Sequence, residues 1–452
     1  MDMFNRKIIT DLEKWADKRN RKPLILRGAR QTGKTSAVRM FSKKYEVYIE
    51  LNLEKESERR YFEELSDVKD ILDAICLTRG VQPIKGKTLL FIDEIQFSPR
   101  AVAMLRYFYE EMSWLHVISA GSLLETIMDK KISFPVGRVE YLPMHPCSFT
   151  EFLMAIDHQQ GVEVLSKFPF PEYAHTVMLD LFKTYAMIGG MPEVIATYKT
   201  ENSLTSLSPV YDALITSYLD DVEKYARNST LEKVIRHIIE NSFRSAGTQI
   251  TFQGFGNSLY RSREMSEAFK ALERTFFLQL VYPVTSTEIP MTANLRRSPK
   301  LQVMDTGLVN YMAGNQVELM GSKQLSDAYN GKIAEHITGQ ELKAFTNSVL
   351  FKLKYWTRES KNATAELDFV WQHAGKVVPI EVKSGKSGKL RSLHQFMDQA
   401  GHPWAVRIYS GTFSIEKVKT IAGKEFWLMN LPFYLINQLP LYLDFLMDTY
   451  KN

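Results

Sequence analysis

The chain predicts an α/β protein in three parts: a parallel sheet with its helices, a helical region ending in two strands, and a smaller second α/β unit. Three observations predict this. Apolar runs in the first third end abruptly at polar loops, as strands buried in a parallel sheet do. Apolar residues recur at helical spacing through the middle, and a β-rich hairpin marks the last third. At 452 residues the chain exceeds one ordinary core, and boundaries near 1–165, 166–320 and 321–452 suit the three patterns.

The first strand is the run Leu24 to Leu26 in "PLILRGARQTGKTSAVRMF", and Ala37, Val38, Met40 and Phe41 follow at helical spacing. Between them lies G-x-x-x-x-G-K-T, a loop whose glycines, Gly28 and Gly33, let the backbone curl around phosphates. Ala29, Arg30, Gln31, Thr32 and Ser36 complete this cradle for ATP, with Lys34 reaching the β and γ phosphates and Thr35 on magnesium. The second strand, Leu89 to Ile92 in "KTLLFIDEIQ", delivers Asp93 and Glu94 at its end. Asp93 is expected to hold magnesium through water, and Glu94 to orient or deprotonate the attacking water. A third run, Leu115 to Ile118, ends in hydroxyl residues, of which Ser119 or Ser122 is placed to sense the γ-phosphate; plain turn residues account for them equally. Arg138 in "FPVGRVEYLP" is the candidate arginine finger, acting in cis or from a neighbouring subunit, with a surface ion pair as the alternative.

From about Glu172 the chain turns helical, and "YAMIGGMPEV" places a turn at Gly189, Gly190 and Pro192 between two helices. "STLEKVIRHIIENSF" sets Leu231, Val234, Ile235, Ile238 and Ile239 on one helix face, and "SREMSEAFKALERTFF" repeats the spacing. "LQLVYPV" and "KLQVMD" follow as strands joined by a polar loop. Helices followed by two strands predict a winged helix, with Arg261, Arg263, Lys270 and Arg274 available to DNA phosphates and "LRRSPK" in the wing. Glu264, Glu267 and Glu273 alternate with those bases, so a solvated face or a packing module accounts for the same residues.

In the last third, "ELDFVWQHAGKVVPIEVKSG" holds two β-rich runs about a short turn. With Ala374 and Gly375 at the tip, Asp368 stands opposite Glu381, and Lys383 shares that face because side chains alternate along a strand. Two facing carboxylates destabilise a sheet unless something compensates them. Magnesium or manganese on Asp368 and Glu381, with the Val382 carbonyl as a further ligand, is the expected compensation, and Lys383 would then orient water or stabilise charge at phosphorus.

"RGARQTGKT", "LLFIDEIQ", "SAGSLLE", "VGRVEYLPMHPCSFTEF" and "YAMIGGMPEV", in this order, resemble the AAA-type P-loop ATPases of bacteria and archaea that carry an uncharacterised nuclease-like C-terminal region. The resemblance covers nearly the whole chain. It implies a P-loop domain, a helical and winged-helix middle, and a C-terminal α/β module of restriction-endonuclease type. Asp368 followed by Glu381-x-Lys383 is similar to the PD-(D/E)XK pattern, and Glu335 on "GKIAEHITGQELKAF" matches the acidic residue that such enzymes carry on their first helix.

Composition bounds the function classes. Hydrophobic residues at 45% and charged residues at 24% describe a folded protein without low-complexity tracts. The 57 basic and 52 acidic residues leave a net charge of +5, too mild to argue for nucleic acid by itself. Cys76 and Cys147 have neither disulfide nor zinc spacing. Acidic residues in "MDMFNRKIITDLEKW" argue against an export signal, and Asn430, Asn437, Gln438 and Asp444 break the apolar C-terminal stretch below membrane-spanning length. A cytoplasmic protein off the membrane is expected. Two functions follow: an ATP-dependent enzyme acting on nucleic acid, with DNA a candidate, or an ATP-driven switch whose C-terminal part only binds, with a second copy or a partner protein reading the change.

Overall fold

Strands β1 (Leu24–Arg27), β2 (Val47–Asn52), β3 (Thr88–Asp93), β4 (His116–Ala120) and β5 (Glu140–Pro143) form one sheet. Their order is β2-β3-β4-β1-β5, and every pairing is parallel. This computed structural model describes residues 4–121, 135, 137–314, 331–359, 365–385 and 390–451. The three apolar runs named from the sequence are the central strands, and β3 and β4 are buried at every position. The edge strands β2 and β5 add two more. Burial alternates along β2 and is slight along β5, so neither edge needs a continuous apolar run.

Helices cover both faces. Lys7–Ala16 and Lys34–Phe41 place Ile8, Leu12, Trp15, Val38 and Phe41 against Leu26 and Phe91. On the other face Ile71, Leu72 and Ile75 of helix Val68–Arg79, with Leu105 and Phe108 of helix Pro99–Glu111, pack on Leu90 and Ile92.

Helices His175–Ile188 and Pro192–Glu201 are separated by the expected turn at Gly189 and Gly190. Helix Ser229–Ser242 buries Leu231, Val234, Ile235, Ile238 and Ile239, and helix Ser262–Arg274 buries Met265, Ala268, Phe269 and Leu272. Strands β6 (Leu278–Val284) and β7 (Lys300–Val303) pair antiparallel. These strands do not stand apart as a free wing. The far half of β6 pairs parallel with β8 (Lys354–Thr357), which pairs with β9 (Glu366–Leu367), and Arg297 in the connecting loop donates to the Thr357 hydroxyl at 2.9 Å.

The third sheet holds β10 (Phe369–His373), β11 (Lys376–Val382), β12 (Trp404–Tyr409), β13 (Ser414–Lys419) and β14 (Glu425–Pro432), ordered β10-β11-β12-β14-β13. β10 and β11 are the predicted hairpin in the predicted register, with Phe369 opposite Ile380 and His373 opposite Lys376. β11, β12 and β14 run parallel. Helix Arg391–Gln399, which joins β11 to β12, buries Leu393, Phe396 and Met397.

One apolar core runs from the helical middle through helix Gly331–Ala344 to the C-terminal helix Leu439–Thr449. Tyr442, Leu443 and Leu446 are wholly buried there, so the apolar C-terminal stretch is a core segment. Among the described residues no helix is long and apolar enough to cross a membrane. Cys76 and Cys147 are buried free thiols.

Candidate functional site

The G-x-x-x-x-G-K-T loop leaves β1 and enters helix Lys34–Phe41, as its sequence demands. Gly33 caps that helix at φ 91°, in the left-handed region open to glycine. Gly28 is packed so closely that a Cβ there would lie 2.1 Å from the Met144 carbonyl oxygen. Ala29 and Thr32 are buried, Gln31 is exposed at φ 60°, and Ser36 lies in the first helical turn. The Lys34 ammonium curls over the loop, donating to the Gly28 and Ala29 carbonyls at 3.0 and 2.7 Å.

The end of β3 meets this loop directly. The Thr35 hydroxyl donates to the Asp93 carboxylate at 2.7 Å, and the Glu94 N–H donates to the other Asp93 oxygen at 3.0 Å. Glu94 has φ 50° and accepts a hydrogen bond from the Gln96 amide. Burial pushes both the Asp93 and Glu94 carboxyls up. Burial also lowers the Lys34 ammonium to about 8, against the pull of Glu94 and Asp93. These groups are poised for a ligand that brings both negative oxygens and a cation.

Distant segments hold the loop in shape. The buried Arg6 guanidinium donates to Glu151 at 2.8 Å, to the Thr32 carbonyl at 3.0 Å and to the His145 carbonyl at 2.9 Å. Burial would lower its pKa, but Cys147 and Glu151 hold it above the usual arginine value. From the helical middle, Arg30 pairs with Asp221, and the Tyr218 hydroxyl donates to the Arg30 carbonyl at 2.7 Å. Two predicted residues stand elsewhere. Arg138 pairs with Glu110 at 2.8 Å on a half-exposed surface, and the buried Ser119 hydroxyl donates to the Leu24 carbonyl at 3.4 Å. Ser122 lies outside the described residues.

A second constellation gathers at the hairpin. Asp368 accepts a hydrogen bond from the Val382 N–H at 2.7 Å, and Lys383 pairs with Glu381 at 2.6 Å. Glu335 joins them from helix Gly331–Ala344, within hydrogen-bonding reach of Asp368. The cation among these carboxylates is Lys300, the first residue of β7. Its ammonium lies 2.9 Å from Glu335, 2.7 Å from Glu366 and 3.7 Å from Asp368. Burial alone would lower that ammonium, but Glu335, Asp368 and Glu366 outweigh it and hold its pKa well above the usual lysine value.

Compensation is incomplete: four carboxylates face two ammoniums. Burial and the nearby Asp368 push Glu335 up to about 8 and Glu381 up to about 7, and among the described residues the buried Oε2 of Glu381 has no hydrogen-bond partner. The spare negative charge and the orphaned oxygen suit a divalent cation. Lys300 opposes one, and among the described residues no group of three or more His, Cys, Asp or Glu side chains stands in metal-holding geometry.

Residues 20–153 match the AAA domain family. The chain therefore carries an AAA-type P-loop ATPase domain. Residues 179–318 and 330–432 match two domains of unknown function, DUF8612 and DUF4143. No curated relative matches the chain. Among solved structures it is similar to a Walker-type ATPase of Pyrococcus abyssi, at 12% identity and a TM-score of 0.44, covering 69% of this chain and 96% of that one. It is also similar to the Aeropyrum pernix ORC1 protein in complex with DNA, at 13% identity and a TM-score of 0.30, covering 69% and 94%.

Sequence reasoning missed Arg6, Glu151, Tyr218, Asp221 and Glu366, and it set Lys300 in a polar wing. Lys300 did leave a signal, as a lysine opening the apolar run "KLQV". Arg6 and Glu151 act across 145 residues, Tyr218 and Asp221 reach Arg30 across 188 and 191, and Glu366, though it lies within the quoted hairpin stretch, meets Lys300 only in the fold.

Proposed function

We propose that the ATPase domain hydrolyses ATP and that this turnover governs magnesium-dependent phosphodiester cleavage of DNA at the hairpin constellation. The observation that carries the first step is the hydrogen bond from Thr35 to Asp93, which sets the phosphate loop beside the acidic end of β3. Magnesium with ATP would be held by Thr35 and Asp93, phosphates by Lys34 and the loop N–H groups, and the attacking water by Glu94. Arg138, half-exposed and paired with Glu110, suits a finger offered to a neighbouring copy.

For the second step, the convergence of Glu335, Asp368, Glu381 and Lys383 supports a restriction-endonuclease-like module of PD-(D/E)XK type. A magnesium or manganese ion would be held by Asp368 and Glu381, with Glu335, only where Lys300 and the Glu335 proton give way to it, and Lys383 would then steady charge at phosphorus. A bound divalent cation supplies water activation and charge neutralisation. The middle region, winged-helix-like in its order of elements, offers exposed Arg261, Arg263 and Lys270 to the phosphate backbone.

A second reading is favoured by Lys300. If it permanently neutralises the carboxylates, the C-terminal part is an inactive binding module and the chain is an ATP-driven switch.

Cleavage of plasmid and single-stranded DNA with magnesium or manganese, with and without ATP, separates the two. Cleavage that disappears in Asp368→Ala and in Lys34→Ala is expected. A parent that hydrolyses ATP indifferently to DNA and cuts nothing overturns the nuclease and leaves the switch.

A further inference from the structure

A polar row crosses the C-terminal sheet at the carboxyl ends of its parallel strands. Glu381 of β11 pairs with Arg407 of β12, Arg407 with Asn430 of β14, and Asn430 with Ser414 of β13. Paired residues project on one face, so this row continues the carboxylate cluster outward, away from Asp368, at about 4.8 Å per strand. The paired rows immediately before and after it project to the opposite face and are apolar and buried, Ile380, Val406 and Met429 and then Val382, Ile408 and Leu431, while on its own face Ala405 and Leu428, two residues earlier, are buried too. One register of the sheet is polar where its neighbours are core.

The row is also unsatisfied. Among the described residues, Glu381 Oε2, Arg407 Nε and Asn430 Oδ1 are buried without a hydrogen-bond partner, and orphaned polar atoms of this kind are costly unless something completes them. Arg407 lies over the Tyr409 ring at 4.8 Å, with a side chain 15% exposed and, among the described residues, a long contact of 3.7 Å to Glu416. Asn430 holds that Glu416 carboxylate more closely, donating to it at 2.8 Å and to the Ser414 hydroxyl at 3.1 Å. Arg407 is thus a stacked, mostly buried guanidinium with spare donors, one strand from Glu381.

We propose that Arg407 is a phosphate-holding residue, its guanidinium taking a non-bridging oxygen of a DNA strand and seating the backbone against the carboxylate cluster. A planar fork stacked on an aromatic ring suits phosphate better than a lysine would. Carboxyl ends of parallel strands are also where open α/β sheets bind ligands. The inference rests on the reading of the C-terminal site as one that receives DNA, and it goes beyond the residues of the hairpin pattern. Glu416 is the competing acid that keeps Arg407 partly engaged.

The test is fluorescence anisotropy with a short fluorescein-labelled DNA duplex and calcium, over a range of salt, on the full chain. Arg407→Gln should weaken binding about tenfold and lower the slope of log affinity against log salt by about one. Glu416→Gln, at a half-exposed position, should tighten binding several-fold without moving the thermal midpoint, and it carries the test if Arg407→Gln fails to fold. Parental affinity and slope in both variants would overturn the proposal even if the parent cleaves DNA. A parent that binds through Arg407 yet never cleaves refutes the nuclease and leaves the phosphate site standing, whereas a parent that binds no duplex overturns both.

Discussion

Lys34 is the residue on which nucleotide affinity turns, and its burial makes that affinity depend on pH. With its pKa lowered to about 8, the free protein loses the ammonium above that pH, whereas the ATP-bound form needs it. Affinity for ATP should therefore be level below pH 7 and fall by up to about tenfold per unit above pH 8, as proton linkage requires; a titration flat to pH 9.5 would show that Lys34 meets no phosphate. Glu335 gives the opposite kind of evidence. Burial and Asp368 raise it to about 8, while in the unfolded chain it ionises near the ordinary value of about 4.3. Its contribution to stability is complete below that ordinary value and is lost as pH rises through about 8. The thermal midpoint should drop across that window, Glu335→Gln should flatten the drop, and manganese should oppose it by supplying the missing charge.

Helix Lys7–Ala16, through Arg6 just before it, is the element that braces the phosphate loop. Arg6→Met would leave Glu151, 7% exposed, as an uncompensated buried charge, and breaking such a pair costs about 3–5 kcal/mol. Denaturant unfolding should register that loss together with weaker ATP binding; a change below about 1 kcal/mol would mean the pair is dispensable. At this scale the sequence is unevenly legible. The hairpin register could be counted out from Ala374 and Gly375 because both take left-handed conformations, at φ 44° and 74°, in a two-residue turn that fixes every pairing above it. The central strands β1, β3 and β4 were equally plain, since burial on both faces gives each a run of consecutive apolar residues. The edges β2 and β5 were not, and neither was the fate of β6, whose parallel partner β8 comes from a segment some seventy residues further on. A strand's own residues do not say which distant edge will complete it.

Across the whole molecule, polar contacts, one backbone step and one helix lie in series between the two sites. Arg6 links the Thr32 carbonyl to Glu151, Glu151 accepts from the Ser148 N–H at 2.9 Å, and the neighbouring Phe149 N–H donates to Glu341 at 3.0 Å. Glu341 also accepts from the Tyr185 hydroxyl at 2.6 Å, and it shares helix Gly331–Ala344 with Glu335. Glu341→Leu strips the Phe149 N–H of its acceptor and leaves the Tyr185 hydroxyl to the Cys147 carbonyl, and the DNA affinity of that variant should no longer differ between ATP-bound and ATP-free protein, while ATP turnover stays within about twofold; an undiminished response to ATP would place the coupling elsewhere. None of this network was visible as a motif, because its members meet only after the chain has folded back on itself. The ion pair from Arg30 to Asp221 spans 191 residues, which has a consequence for biosynthesis. At translation speeds of about 5–20 residues per second, the phosphate loop waits on the order of 10–40 seconds on the ribosome before Asp221 is even made. Until then ATP meets a loop held by Arg6 and Glu151 alone, so the part of the nucleotide's stabilisation that depends on Arg30 is withheld until the helical middle has been made.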